Sequence, residues 1–225
     1  MFQGFSQGAV DFLWSIRFNN ERSWFLAHKE EYLTLVDRPM RELGDQVHQA
    51  MEELCPELGL NLHVSRIYRD ARRLYGRGPY KDHLWFTLRR PAEHEGAVPC
   101  FFFEVAPDRY SYGMGCWDPT PLTMAKLRAR MDRDPAQAAK LVRQVERRGE
   151  FQLDGEPYKR PKGDPGPLLY PWYNSRQFSL CRDENCEGDF FTPALKDRVL
   201  EGWKSLVPVY RWLLAVEADP PPEQM

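Results

Sequence analysis

The spacing of apolar residues changes twice along the chain, and this change constrains the fold more than any other feature. Residues 1–58 carry apolar side chains at helical intervals, residues 61–115 contain strand-like runs, and residues 116–218 return to helical intervals and include a long loop. Helices, then strands, then helices, without regular strand–helix alternation, are typical of an α+β domain. We therefore predict one domain over residues 1–225, with a small antiparallel sheet flanked by N-terminal and C-terminal helices.

Three helices are predicted in the N-terminal part. The first contains Ala9 and Ile16 on its apolar face, and the second starts near Glu21 and stops before Pro39, which can open the third helix at its first turn. The third helix has the clearest pattern, since its apolar residues keep i, i+3, i+4 spacing throughout. These residues are Met40, Leu43, Val47, Ala50, Met51 and Leu54.

Strands are predicted in the centre of the chain. Apolar and more polar residues alternate from Leu84 to Arg89, which indicates a strand with one buried face, and residues 100–105 are apolar nearly throughout. Pro107 and the residue after it favour a hairpin that leads into a further strand over residues 109–115. We expect three or four antiparallel strands in all.

The C-terminal part is predicted to return to helices. A helix begins near Pro135 and is closed by Gly149. Residues 150–174 are rich in proline, glycine and charge, which favours a long excursion over the surface. The last helix is expected from about Pro193, with a kink or a split at Pro208.

The composition excludes several classes of protein. The apolar share of 42% and the aromatic share of 13% exclude a disordered or low-complexity chain, and the formal net charge of −2 offers no overall basic footprint. No basic leader precedes an apolar run at the start, and no apolar stretch approaches the roughly 20 residues of a membrane helix. We expect a soluble, intracellular, cytoplasmic protein without a membrane partner.

Cysteine usage agrees with a cytoplasmic location. The five cysteines are an odd number without the density of a disulfide framework, so reduced thiols are expected. Cys181 and Cys186 lack nearby histidines or a second cysteine pair that would complete a zinc site. No metal and no cofactor is predicted.

The sequence motifs of common hydrolases, nucleoside triphosphatases and metalloenzymes do not occur, so no catalytic residue can be named.

One segment is strongly basic although the whole chain is nearly neutral. Residues 61–90 contain eight basic residues and two acidic ones. If residues 64–72 are extended, a period of two places Arg66, Asp70 and Arg72 on one side of the chain, together with Tyr68. Arginine presents a planar fork of donors that matches carboxylate and phosphate oxygens, so converging arginines and a lysine form a plausible anion site.

Two interpretations of this basic segment remain open. In the functional one, Gly76 and Gly78 make the turn permissive and let the backbone approach a ligand. In the structural one, Asp70 pairs with Arg66 or Arg72, and the pairs only tie a loop to a sheet.

Glu104 is a second candidate, because it interrupts an apolar strand and shares a face with Cys100 and Phe102. It is interpreted either as a general base with a raised pKa or, more simply, as the partner of one of the arginines. His28 and His83 are single histidines, which are more often structural than catalytic.

Four motifs follow one another along the chain: Asn19-Asn20 with Trp24-Phe25, residues 66–72, Pro79-Tyr80-Lys81 and residues 158–163. Together they resemble the family catalogued as domain of unknown function 2461. The resemblance runs over nearly the whole chain and implies a single-domain, mostly bacterial protein to which no activity is assigned. The block at residues 66–72 and the Pro-Tyr-Lys at residues 79–81 carry it most specifically, followed by residues 158–163. The positions that match residue by residue and are predicted to contact a ligand are Arg66, Arg69, Asp70, Arg72, Tyr80, Lys81, Lys159 and Lys162.

The sequence departs from the family pattern between these two motifs. The family usually continues with Phe-Ser-Lys-Asp-Lys, whereas this chain has Arg-Leu-Tyr-Gly-Arg at residues 73–77. The basic character survives at Arg77, but the phenylalanine, one lysine and the aspartate are lost, so any role of this turn in the family can be altered here.

Three functions fit these observations. The first is binding of, or catalysis on, a small phosphorylated or carboxylated ligand by the basic cluster, with Asp70 or Glu104 orienting the arginines or acting as a base. The second is a structural or interaction protein whose arginines form a structural network. The third is a nucleic-acid-binding module in which the basic segment follows the phosphates and Tyr68, Tyr75, Tyr80 or Trp85 stacks on bases, although the nearly neutral chain disfavours it. The oligomeric state does not follow from the sequence.

Overall fold

The computed structural model describes residues 1–74, 76–92 and 98–222. Its α-helices in these ranges are α1 (Gln7–Phe18), α2 (Arg22–Ala27), α3 (Lys29–Glu31), α4 (Arg38–Leu54), α5 (Pro121–Arg133), α6 (Pro135–Arg148), α7 (Tyr170–Tyr173) and α8 (Ala194–Glu217). The strands are β1 (Asn61–Val64), β2 (Leu84–Arg89), β3 (Cys100–Val105), β4 (Arg109–Cys116), β5 (Gln152–Asp154) and β6 (Phe178–Asn185). The predicted α+β class is confirmed.

The six strands form one antiparallel sheet in the order β1-β2-β3-β4-β6-β5. The predicted hairpin between β3 and β4 is confirmed, and the backbone N–H of Ala106 donates to the carbonyl of Arg109 across its turn. The expected number of strands was too low. In the added pair, Leu153 of β5 lies opposite Leu180 of β6. The strand β6 carries no alternating apolar signal, because its second half is polar and only partly buried.

The N-terminal helices differ from the prediction in one respect. The second predicted helix is interrupted at His28, and a π-helical segment, Tyr32–Asp37, then leads directly into α4. Pro39 lies in the first turn of α4, as predicted. The predicted apolar face of α4 is buried except at Ala50, which is partly exposed, and at Leu54, which is 46% exposed.

Proline and glycine set the bounds of the later helices. Asp134 caps α6, whose first residue is Pro135, and Gly149 ends it in the left-handed conformation at φ 63°. A kink or a split was predicted at Pro208. The helix is not split, since α8 is continuous through this residue, and the kink stays a prediction. The turns on either side are buried, with Trp203 and Tyr210 fully inaccessible, and this packing outweighs the one hydrogen bond that proline removes.

Residues 150–174 were predicted to be a long loop over the surface, but they contain regular structure and buried side chains. They contain β5 and α7, and Phe151, Leu169 and Trp172 are buried. Asn174 fixes the segment, because its side chain accepts a hydrogen bond from the Lys162 backbone (2.6 Å) and donates to the Gly163 carbonyl (3.0 Å).

The chain divides into two compact units. The first unit comprises Met1–Leu88, Phe102–Tyr112 and Asp183–Glu201, and the second comprises Arg89–Phe101, Gly113–Arg182 and Gly202–Met225. The prediction of a single domain stays a prediction.

Each unit has its own aromatic core. In the first, the ring of Phe103 packs on Phe86 with 5.4 Å between centroids. In the second, Phe101 stacks on Tyr210 at 4.6 Å. Within the described ranges, no helix is both long enough and apolar enough to cross a membrane.

Candidate functional site

The first unit contains an open depression of about 740 Å³ that is lined by most of the predicted basic cluster. Every lining residue comes from residues 63–85, between β1 and the start of β2. Five cationic side chains and one carboxylate contribute to its wall: Arg66, Arg69, Arg72, Arg77, Lys81 and Asp70.

Backbone pairing between two segments forms the depression. The N–H of Arg69 donates to the carbonyl of Pro79 (2.8 Å), and the N–H of Lys81 donates to Ile67 (2.7 Å). Tyr68 and Tyr80 form an isolated antiparallel bridge. The chain over residues 64–72 is therefore paired but is not the regular strand that the alternation suggested, and its pairing ends before a 3-10 turn at Ala71–Arg73.

Arg69 lines the depression, but its guanidinium is already engaged. The side chain is only 17% exposed, its Nε donates to the Tyr80 carbonyl (2.7 Å), and one terminal nitrogen lies 3.5 Å from Asp82. The carboxylate of Asp82 also accepts from Arg17 (2.5 Å) and contacts His83 Nδ1 (3.1 Å). Burial alone would raise the pKa of Asp82, yet the hydrogen bonds from Arg17 and His83 hold that pKa below its ordinary value.

Arg72 and Asp70 form the predicted structural pair. Nε and a terminal nitrogen of Arg72 donate to the two carboxylate oxygens at 3.1 and 2.9 Å. Asp70 also accepts from the Arg72 backbone and so caps the 3-10 turn. Because the Arg72 side chain is 87% exposed, the pair contributes little to stability.

Arg66, Arg77 and Lys81 are the remaining cations of the depression. In the part of the chain that the structure describes, none of them lies within 4.0 Å of a carboxylate oxygen. Lys81 is half-buried, and burial together with the nearby positive charges of Arg69 and Arg66 lowers the pKa of its ammonium group. Its Nζ lies 5.5 Å from the centre of the Trp85 ring. The negative charge of Glu104 opposes this lowering of the Lys81 pKa, and Asp82 and Asp70 pair with Arg69 and Arg72. Among the described lining residues, the excess of positive charge is therefore that of Arg66, Arg77 and Lys81.

Tyr80 does not line the depression. Its side chain is 3% exposed and stacks on Phe25 at 4.2 Å, so it belongs to the core. Asn20 binds the main chain of Tyr80 on both sides, accepting from its N–H and donating to its carbonyl, each at 2.9 Å. Gly78 leaves room for this contact, since a Cβ there would lie 2.2 Å from the amide oxygen of Asn20.

Glu104 lies on β3 in the first unit and is half-buried. The predicted ion pair with an arginine is not formed, because no described basic group lies within 4.0 Å of its carboxylate. Burial raises the pKa of Glu104, while the positive fields of His83 and Arg109 oppose this rise. Glu104 is not among the residues that line the depression.

Lys159 and Lys162 belong to the second unit. Lys159 is exposed, and Lys162 Nζ lies 4.9 Å from the Tyr158 ring, above which Arg128 lies at 5.4 Å. Their contribution to the anion site stays a prediction.

Sequence reasoning missed several contacts that build the site. Asp82 holds Arg69 and itself contacts His83, and Asn20 holds the main chain of Tyr80. The contacts with Arg69 and Tyr80 join segments that are distant in the sequence, so no local pattern indicates them. Tyr68 and Trp85 line the depression, whereas Tyr75 lies outside the described residues. In the ranges that the structure describes, no group of three or more histidine, cysteine, aspartate or glutamate side chains could hold a metal ion.

Fold and site together define an α+β protein with a basic, open depression next to β1 and β2, the two strands at one edge of its sheet. The sequence model of one family, described as "Conserved hypothetical protein (DUF2461)", matches residues 8–212 of the chain. The chain therefore belongs to the DUF2461 family, as its motifs indicated. A search of curated proteins finds no match.

Proposed function

We propose that the depression binds a small phosphorylated or carboxylated ligand through Arg66, Arg77 and Lys81. The observation that carries this proposal is that these three cations line one depression and that no carboxylate oxygen of the described residues lies within 4.0 Å of any of them. Structural cations at a protein surface are usually paired with carboxylates or solvated singly, whereas clustered unpaired cations repel one another. An anion between them removes that repulsion and accepts their hydrogen bonds.

The proposal concerns binding. Among the described lining residues, the one hydroxyl of serine or threonine is that of Ser65, which is 2% exposed and accepts a hydrogen bond from the Trp85 backbone at 3.0 Å. This geometry does not favour Ser65 as a nucleophile. The proposed location is the cytoplasm, because an odd number of sparsely placed cysteines is typical of a reducing compartment.

Calorimetric titration with inorganic phosphate, pyrophosphate and citrate tests the proposal. We expect saturable binding of at least one of these anions, with a loss of about tenfold or more in affinity in Arg66→Ala and in Lys81→Met. Arg143→Ala and Lys140→Met remove the same charges from the exposed surface of α6 in the second unit and serve as matched controls. Equal affinities in all four variants, or no binding of any anion, would contradict the proposal.

A structural role is the second candidate, and the contacts of Arg69 favour it for that residue. Arg69 is tied to the Tyr80 carbonyl and Asp82, so Arg69→Ala is expected to lower the melting temperature whether or not a ligand exists. If Arg66→Ala and Lys81→Met also only lower the melting temperature, and no anion binds, the structural candidate is the better one.

A further inference from the structure

We propose that the ligand of this depression carries a planar aromatic ring beside its anionic group, as a nucleoside phosphate does, and that Tyr68 is the surface on which this ring stacks. The inference rests on the proposed function and names the class of ligand. It is carried by the position of one exposed aromatic ring, that of Tyr68, in the depression that Arg66, Arg77 and Lys81 also line.

Tyr68 is exposed and yet held in place. It lines the depression, and its side chain is 53% exposed. On its covered side, the ring makes an edge contact with Phe25 at 5.8 Å and a tilted contact with Tyr80 at 5.4 Å. Its main chain is fixed by the bridge to Tyr80. A ring that is fixed by two buried rings loses little conformational entropy when a ligand stacks on its open side.

Trp85 has a different position in the same wall. The ammonium group of Lys81 lies over its ring at 5.5 Å, and the His63 ring lies 5.6 Å away. This cation–π contact favours a position of Lys81 beside the ring. We therefore assign Trp85 as a positioning residue for Lys81 and Tyr68 as the stacking surface.

The size of the depression fits a ligand larger than a simple anion. Its volume of about 740 Å³ lies within the usual range of about 300–1,000 Å³ for small-molecule sites. A bare phosphate occupies a small part of this space, whereas a phosphate with a sugar and a base fills more of it and has room to contact both Arg66 and Tyr68, which line the same depression. Stacking on an aromatic side chain is also tolerant of the identity of the base.

A mononucleotide is favoured over a nucleic-acid strand. The described cations of the depression all come from residues 66–81, and the whole chain has a net charge of −2. A strand needs a longer basic track that follows several successive phosphates.

The experiment compares ligands that share one phosphate group. Inorganic phosphate, ribose 5-phosphate, AMP and UMP are titrated by calorimetry into the full chain and into Tyr68→Leu, Tyr68→Phe and Arg66→Ala. Tyr170→Leu changes another exposed tyrosine, in the second unit, and is the matched control. Thermal denaturation of each variant verifies that it is folded.

We expect AMP and UMP to bind about tenfold or more tightly than ribose 5-phosphate. Tyr68→Leu should remove this difference, Tyr68→Phe and Tyr170→Leu should retain it, and Arg66→Ala should weaken all the phosphate ligands together. If phosphate and ribose 5-phosphate bind in an Arg66-dependent manner but the base adds nothing, the inference is wrong and the proposed function stands. If none of the four binds, both are wrong.

A short single-stranded oligonucleotide completes the test at several salt concentrations. Binding that is much tighter than that of AMP, with a steep loss of affinity as salt increases, would overturn the mononucleotide in favour of a strand. Binding no tighter than that of AMP supports the inference.

Discussion

The side-chain amide of Asn20 pairs with the main chain of Tyr80, sixty positions later, as a neighbouring strand would. The amide oxygen accepts from the Tyr80 N–H and the amide nitrogen donates to the Tyr80 carbonyl, both at 2.9 Å. This contact joins two of the motifs by which the chain resembles its family, the Asn-Asn pair before α2 and the Pro-Tyr-Lys of the depression. Asn20 therefore anchors the depression to the N-terminal helices, together with the Arg17–Asp82 ion pair and the stacking of Phe25 on Tyr80.

Asn20→Ala is expected to destabilise the protein by about 1–3 kcal/mol, because it leaves the Tyr80 N–H without its partner in a partly buried place. Thermal or urea denaturation measures the change. Asn19→Ala is the control, since Asn19 donates only one exposed hydrogen bond, to the Ser15 carbonyl. Equal effects of the two substitutions would contradict the prediction.

Gly78→Ala should act through the same contact. The added Cβ would lie 2.2 Å from the Asn20 amide oxygen, so Asn20 must move away from Tyr80. Asn20→Ala would keep a Cβ that lies 2.6 Å from the added one, so the partner substitution in the double variant is Asn20→Gly, which removes the whole obstacle. The double variant should therefore be more stable than the sum of the two single effects predicts. A double-mutant cycle of unfolding free energies checks this. If the effects of the two substitutions simply add, Gly78→Ala does not act through the Asn20 side chain.

The stability contributed by Asp82 should depend on pH. The pKa of Asp82 is lower in the folded state than in the unfolded chain, so its contribution is present above the unfolded pKa of about 3.9 and is lost as the pH falls through the folded pKa. The gap in unfolding free energy between the wild type and Asp82→Asn should be widest near neutral pH and shrink below about pH 4. Asp197→Asn, at a 70% exposed carboxylate, should show a small gap at all pH values. A gap for Asp82→Asn that does not change with pH would refute the assignment.

Anion affinity should depend on the charge of Lys81. Its pKa lies below that of an ordinary lysine, because the group is partly buried and lies near Arg69 and Arg66. Sulfate keeps its charge across the alkaline range, so any change in its affinity with pH reports on the protein. The affinity should fall as Lys81 loses its proton, and this fall should occur at a lower pH than for an exposed lysine. Lys81→Arg stays charged and should show a flat profile. The same alkaline loss in both proteins would mean that another group causes it.

Asp219 should hold the C-terminal end of the second unit. Its carboxylate accepts from Arg130 at 2.6 and 2.9 Å and from Arg133 at 2.8 Å. Asp219→Asn is expected to cost about 1–3 kcal/mol of unfolding free energy, because charge-assisted hydrogen bonds at a side chain that is 12% exposed are weakened. Asp118→Asn is the control at an exposed carboxylate of the same unit, and it should change the melting temperature little.

The sequence predicted those elements in which local signals and burial agree. The spacing of apolar residues predicted α4, and Pro107 predicted the β3–β4 hairpin. Pro135 and Gly149 predicted where α6 begins and ends. The strand β6 was not predicted from the sequence, since its second half is polar and breaks the alternation of apolar and polar residues. The continuity of α8 through Pro208 also depends on tertiary packing, which no local rule contains.

The candidate site was predictable as a set of residue types but not as a set of contacts. The basic segment indicated Arg66 and Lys81, which do lie in one depression. It gave no reason to separate them from Arg69, whose partners are a backbone carbonyl and Asp82. Glu104 was expected to pair with an arginine, and the distances in the folded chain exclude this. Such distinctions require the pairing of distant segments.

One short stretch, residues 63–85, supplies all the described lining residues of the depression, and neither aromatic core depends on their exposed side chains. Substitutions at Tyr68 or at Arg77 change the side chains that line the depression, while the backbone bridge and the Asn20 contact hold its main chain. The departure of residues 73–77 from the family pattern lies in this stretch. Under the proposed function, we therefore expect a change of ligand preference to require substitutions in residues 63–85 alone, so similarity over the rest of the chain does not predict the ligand.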